Sequence, residues 1–332
     1  MTIAGTDAVV ARLLRSDEPS VRWRVRAELL GEPVDGRPMR ALRKEVRDSA
    51  RARTILAATA DLHPYAKWRG AHWALLSLAA LGYPPGDAAL LPLRDAVLDH
   101  WLSARYLADR DVTRVTPEVT RTAVPRVAGR SRRCGSQHGG ALLAITRLGV
   151  DDGRGAVLAA RLADWQWPDG GWNCDRDPAA AMSSVNETLL PMRGLHAYGD
   201  ATGDAAAHAA ARAAAEVVLQ RRVAWRRRSP SEPIAPDVLK LHHPVYWHYD
   251  VLAGLIGLVG LGLVGDPRCR DAIDHLASLR RDDGQWSASG RYWRVAANGS
   301  NVESVSWGVV SSRAANEWVT VDALVVLRAA GA

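Results

Sequence analysis

The chain has 332 residues, 48% of them apolar, with 13 Trp, no Phe, three Cys and a formal charge of +7. That apolar fraction excludes a disordered chain, and three cysteines exclude a disulfide-stapled scaffold. The most apolar run, Val251 to Val264, falls short of the ~18 residues that a bilayer span needs and suits a buried helix.

In chain order, a short helix is expected over Asp7 to Leu14. Ser16-Asp17-Glu18-Pro19 then supplies a cap and a first-turn proline for a helix carrying Val21, Val25 and Leu29 and stopped by Gly31. Pro33 to Pro38 is a turn, and Arg40 to Ala60 reads as one long helix with a charged face. From Trp68 a pattern sets in: an apolar helix to Leu81 ending at Gly82, a Pro-Pro-Gly-Asp turn, then an amphipathic helix over Ala88 to Tyr106. Asp109 to Arg133 reads as an irregular loop over one face, because its prolines and polar β-branched residues oppose helix.

The pattern returns three times. Gly135 to Leu148 is followed by Gly153 to Asp164, Ser184 to Tyr198 by Asp204 to Val223, and Trp247 to Val264 by Pro267 to Arg281. Gly149, Gly199 and Gly265 are the expected stops of the apolar members. A last apolar helix is expected over Asn316 to Ala330. This is an internal repeat of roughly 45–60 residues. Helices buried on all sides belong inside and one-sided helices outside. The expected fold is therefore all-α, a single-domain ring of about six inner and six outer helices, with an open solenoid of helix pairs as the alternative.

In such a ring the inner helices run parallel and their first turns meet at one end. Reading those turns gives His72, His138, Glu187, His248 with Asp250, and Glu317. Titratable groups at corresponding places in apolar helices are what acid–base chemistry needs, because burial shifts their pKa values. Taken singly, carboxylates at helix starts also serve as caps. Asp175, Glu187, His248 and Asp250 are the candidate catalytic groups. His138, Asn173, Cys174, Trp247, Trp318 and Glu317 are the candidate substrate contacts. Aromatic faces such as Trp247 and Trp318 stabilise a cation by about 1–2 kcal/mol each.

One stretch carries a family resemblance. Gln166-Trp167-Pro168-Asp169-Gly170-Gly171-Trp172 matches the QxxxGxW repeat of squalene and terpene cyclases, and Gly284 and Trp286 form a second copy with Arg280 in the place of Gln. The segments Gly171 to Asp175, Ser183 to Leu189 and Trp247 to Asp250 resemble the small single-domain squalene-cyclase-like proteins. The resemblance implies an α/α-toroid and a cyclase, isomerase or lyase acting on an apolar or amphipathic small molecule in the lumen. It also implies that the GxW tryptophans tie repeats together outside the cavity. Asp175-Arg176-Asp177 is the nearest match to the DxDD acid motif of class II cyclases and lacks its last Asp. That departure motivates the alternative of a non-catalytic toroid binding a small molecule or peptide. A metal-dependent, prenyltransferase-like protein is a further alternative.

No cofactor is called for, and no metal ligands are assigned. A zinc site from Cys174, Asp175, His138 and His248 is the residual option, without a compact ligand pair. Cys134-Gly135-Ser136-Gln137 has the Cys–Gln spacing of the thioester of complement-type toroids, with Ser for Glu, and is read as coincidence. His242-His243-Pro244 reads equally as a loop pair or a ligand pair. The basic charge is read as a solvated helix face, so nucleic acid is not the expected partner. The N-terminus lacks the apolar core of a signal peptide, and a cytoplasmic location is expected. No sequence feature sets the oligomeric state.

Overall fold

The computed structural model describes residues 6–296 and 299–331, and among these the chain is mostly helical. In order come α1 (Thr6–Leu13), α2 (Pro19–Arg24, widening into a π-type turn over Val25–Leu29), α3 (Arg37–Asp48), α4 (Ala50–Ala57), α5 (Ala71–Leu81), α6 (Leu91–Trp101) and α7 (Ala104–Leu107). Then follow β1 (Asp109–Asp111), α8 (Pro117–Thr122), β2 (Val124–Val127), β3 (Arg130–Ser131), α9 (Gly135–Arg147), α10 (Gly155–Trp165), α11 (Val185–Thr202) and α12 (Ala205–Leu219). The chain continues with α13 (Val251–Gly260), α14 (Arg270–Ser278), β4 (Arg294–Val295), β5 (Val302–Glu303) and α15 (Glu317–Ala329).

Five expectations are corrected: α13 covers only Val251–Gly260, so Gly265 is not its stop and His248 precedes it, and four more change for local reasons. The run expected as one helix over Arg40 to Ala60 is two, because Ser49 turns extended (ψ 150°) and its Oγ accepts the Ala52 N–H at 3.1 Å. A serine cap thus starts α4 inside an otherwise helical pattern. The Ala88 to Tyr106 helix breaks after Trp101, and Ser103, in extended conformation, begins α7. The stretch from Asp109 to Arg133 is not irregular throughout: β1 pairs parallel with β2, β2 antiparallel with β3, and Pro117 opens α8 behind a Thr116 cap. Finally, Gly199 does not stop α11, which runs on to Gly203, a left-handed residue at φ 77°. Gly199 instead makes room for His208, whose Cδ2 would lie 2.8 Å from a Cβ there.

The chain forms two compact units: Met1–Pro84 together with Gln220–Ala332, and Pro85–Leu219. In the second unit α9 and α11 are buried along nearly their whole length, while α10 and α12 each bury one face. The two buried helices run parallel. Ser136 bonds Glu187, Gly139 lies against Pro191, and Gly194 lies against Gly139 and Leu143, so positions advance together. The approach requires glycine: a Cβ on Gly139 would stand 2.3 Å from the Pro191 backbone nitrogen. In the first unit α2 and α15 advance together in the same way, through Ser16 with Glu317 and Arg24 with Asp322.

Each unit holds one GxW turn, and the two are built alike. The Trp172 indole N–H donates to the Leu162 carbonyl at 3.0 Å, and that of Trp286 to Leu276 at 2.8 Å. The backbone N–H of Trp172 donates to Thr188 Oγ1 at 3.2 Å, and that of Trp286 to Thr320 Oγ1 at 3.1 Å. Each tryptophan carbonyl in turn accepts the N–H of the residue four before that threonine, Ser184 at 2.9 Å and Asn316 at 2.8 Å. The turns therefore clamp the end of α10 to the start of α11, and the end of α14 to the start of α15. Both tryptophans are fully buried, which leaves them structural.

Candidate functional site

In the first unit, the segment before α13 carries the polar groups. Asp250 is fully buried and caps α13, its Oδ1 accepting the Ala253 N–H at 2.8 Å. Its Oδ2 accepts the backbone N–H of His242 at 2.8 Å and lies 3.1 Å from His242 Nδ1. An ionised carboxylate can only accept, so Nδ1 carries the proton and Nε2 of His242 is the acceptor. Asp250 is thus a cap and an anchor for His242, without solvent access of its own.

From His242 a stack of rings runs outward. Tyr292 lies over His242 with centroids 4.6 Å apart, His248 over Tyr292 at 3.6 Å, and Trp247 over His248 at 4.1 Å. Tyr292, His248 and Trp247 are all half-buried. His248 Nδ1 lies 3.1 Å from the Val245 carbonyl, so it donates and leaves Nε2 as acceptor. Burial, against the opposing pull of the Val245 carbonyl and with help from Lys67 and His242, pushes the His248 pKa down to about 4. The ring is therefore neutral near pH 7. Lys67 Nζ lies 4.9 Å from the Trp247 ring centroid, within cation–π range.

Behind this stack, Trp68 lies flat on Tyr246 at 3.9 Å. Tyr246 donates its hydroxyl proton to Glu303 Oε2, which also accepts the Trp307 indole N–H at 3.3 Å. Glu303 Oε1 accepts the Ser304 N–H at 2.7 Å, so the buried carboxylate is fully engaged. Trp318 is buried with His243 stacked on it at 5.3 Å, and Glu317 accepts a hydrogen bond from Ser16 Oγ at 2.9 Å. Both are packing and helix-start groups of α15.

In the second unit the expected residues separate into three settings. His138 sits in an aromatic cage of Trp101, Tyr106 and Trp165, with Nε2 3.1 Å from the Trp101 carbonyl. Asn173 Oδ1 accepts the Asp175 N–H at 2.9 Å, and Asp175 Oδ1 accepts the Asp177 N–H at 3.0 Å. Asp175 is exposed and built into this chain of turns, in solvent rather than against the apolar wall that an acid role requires.

Glu187 and Cys174 do come together. Glu187, in the first turn of α11, is buried, and its Oε2 accepts from the backbone N–H and the Oγ of Ser136 at 3.1 and 2.8 Å. Its Oε1 faces Cys174 Sγ at 3.4 Å. Cys134 completes the group: one ligand atom from each of Cys134, Cys174 and Glu187 lies within 4.8 Å of the others. A second trio, His196, Asp200 and His208, meets the same distance on a more exposed face. Of the residual zinc option, Cys174, Asp175, His138 and His248, only Cys174 belongs to either trio among the described residues.

Sequence reading missed Cys134, Ser136, His242, Tyr292 and Glu303 as members of these clusters. His242 stood out only as half of a His-His pair. No protein-family model matches this sequence, and searches of curated proteins and of solved structures find no significant match.

Proposed function

We propose that this chain is an acid–base enzyme of the cyclase, isomerase or lyase type, acting on an apolar or amphipathic small molecule. The observation that carries the reading is the half-buried stack of Trp247, His248 and Tyr292, in which a neutral His248 presents Nε2 as a base between two aromatic rings. Aromatic faces with one proton acceptor suit a substrate that develops positive charge and then loses a proton. The Asp250–His242 pair holds Tyr292 from behind and so sets the position of His248. The GxW turns support an α/α-toroid as the setting, and a cytoplasmic location with reduced thiols belongs to the same reading.

The test is to extract small molecules from freshly purified protein, identify them by mass spectrometry, and return them to ligand-free protein. Conversion to an isomer or elimination product supports the enzyme. Recovery of every bound compound unchanged makes the chain a binding protein instead.

A further inference from the structure

We propose that Cys134, Cys174 and Glu187 bind a zinc ion through two thiolates and one carboxylate oxygen, with the fourth position open. This site lies wholly within the second unit and does not depend on the function proposed above.

The fold assembles the trio from three separate segments. Cys134 directly precedes α9, Glu187 is in the first turn of α11, and Cys174 follows the buried Trp172. The parallel packing of α9 and α11 sets the first two side by side. Gly135 allows the third to close in: a Cβ there would stand 2.8 Å from Trp172 Cγ and 3.1 Å from the Glu187 carbonyl oxygen. Arg132 fastens the loop beyond Cys174, donating to the Ala180 carbonyl at 3.0 Å.

The Cys174–Glu187 spacing matches that of two ligands on zinc. With Zn–S of about 2.3 Å and Zn–O of about 2.0 Å at tetrahedral angles, a sulfur and an oxygen ligand stand about 3.5 Å apart. Cys174 Sγ and Glu187 Oε1 are 3.4 Å apart. The carboxylate is already oriented, because both Ser136 donors hold Oε2 and turn Oε1 toward the sulfurs. Such outer partners are what metal-binding carboxylates normally have.

The charge balance suits a cation: on binding a divalent ion the two thiols give up their protons to solvent, and two S–Zn bonds and one O–Zn bond form. The complex then carries one net negative charge, at the N-terminal ends of two helices whose dipoles favour it. Two soft sulfurs select zinc over magnesium or calcium.

The experiment uses the full untagged chain, purified under reducing conditions, with metal measured by plasma mass spectrometry. About one zinc per chain is expected. Cys174→Ser and Cys134→Ser should each lower zinc affinity at least 10-fold, whereas the double substitution His196→Ala/His208→Ala should leave it unchanged. Titration of the metal-free wild type with cobalt(II) should give thiolate-to-cobalt charge-transfer absorption and release two protons per ion, which keeps the test decisive if a cysteine variant fails to fold. The proposal is overturned if wild type takes up no zinc or cobalt. It is equally overturned if the metal follows His196 and His208, or if the reduced-purified protein carries a Cys134–Cys174 disulfide.

Discussion

Arg280 donates from Nε to the Gly284 carbonyl at 3.2 Å, the same bond that Gln166 Nε2 makes to Gly170 at 2.6 Å. Both glycines are left-handed, at φ 79° and 96°. The second GxW turn therefore departs from the QxxxGxW pattern in residue type but keeps the hydrogen bond. Replacing Arg280 by Gln should leave stability within about 0.5 kcal/mol. Arg280→Ala, which leaves the Gly284 carbonyl without that donor, should cost about 0.5–1.5 kcal/mol in urea unfolding. An unchanged Arg280→Ala would mean that the bond contributes nothing, and equal losses for both variants would mean that Gln does not reproduce it.

Gly139 is the tightest point between α9 and α11. Gly139→Ala sets a methyl carbon against the Pro191 backbone, which cannot move aside as a flexible side chain would. The expected loss is about 1–3 kcal/mol by chemical denaturation. A neutral or stabilising Gly139→Ala, as helix propensity alone would give, contradicts the close packing.

Arg24 bonds Glu28 and Asp322, each at 2.7 Å, and His243 lies 3.7 Å from the other Asp322 oxygen. Burial opposes ionisation of Asp322, but Arg24 and His243 outweigh it and hold its carboxyl well below the usual range. Removing one partner strands the other: Asp322→Ala should destabilise the chain by about 3–5 kcal/mol. The double replacement Arg24→Met/Asp322→Leu should recover most of that loss. Additive losses in the double variant would show that the pair is not coupled.

The GxW turns could be read in the sequence because each is local: a left-handed glycine and a tryptophan two residues on suffice. Glu187 could be read as well, as a charge opening an apolar helix. Its partners could not. Cys134 reaches Cys174 only because α9 and α11 pack in parallel, and that register rests on Gly139, Pro191 and Gly194 meeting in space. Asp250 looked like a helix cap or an acid. The structure makes it a cap that also holds His242, eight residues back across a loop whose path no periodicity encodes. Ser49 shows the converse limit, since a serine that caps a new helix looks the same in an amphipathic run as one that continues it.

His248 gives a pH signature. Its folded pKa of about 4 lies below the ordinary 6.5, so between those values the unfolded chain binds more protons. Stability should therefore fall as pH is lowered from about 6.5 to 4 and level off below. With His248 only partly buried, solvent screening limits this contribution to on the order of 1–2 kcal/mol. Lys67→Ala should move the pKa upward and shrink the effect. NMR titration of the His248 ring reads this directly, and a midpoint near 6.5 contradicts the buried, neutral base.

The most direct measurement is product yield from squalene and from linear prenyl diphosphates, offered as probes to wild type and to His248→Gln. Loss of the base should cost roughly 100-fold or more in product formation while the fold, read by circular dichroism, stays intact. Equal yields from the two proteins, or no turnover of any compound that wild type demonstrably binds, would contradict acid–base catalysis at His248.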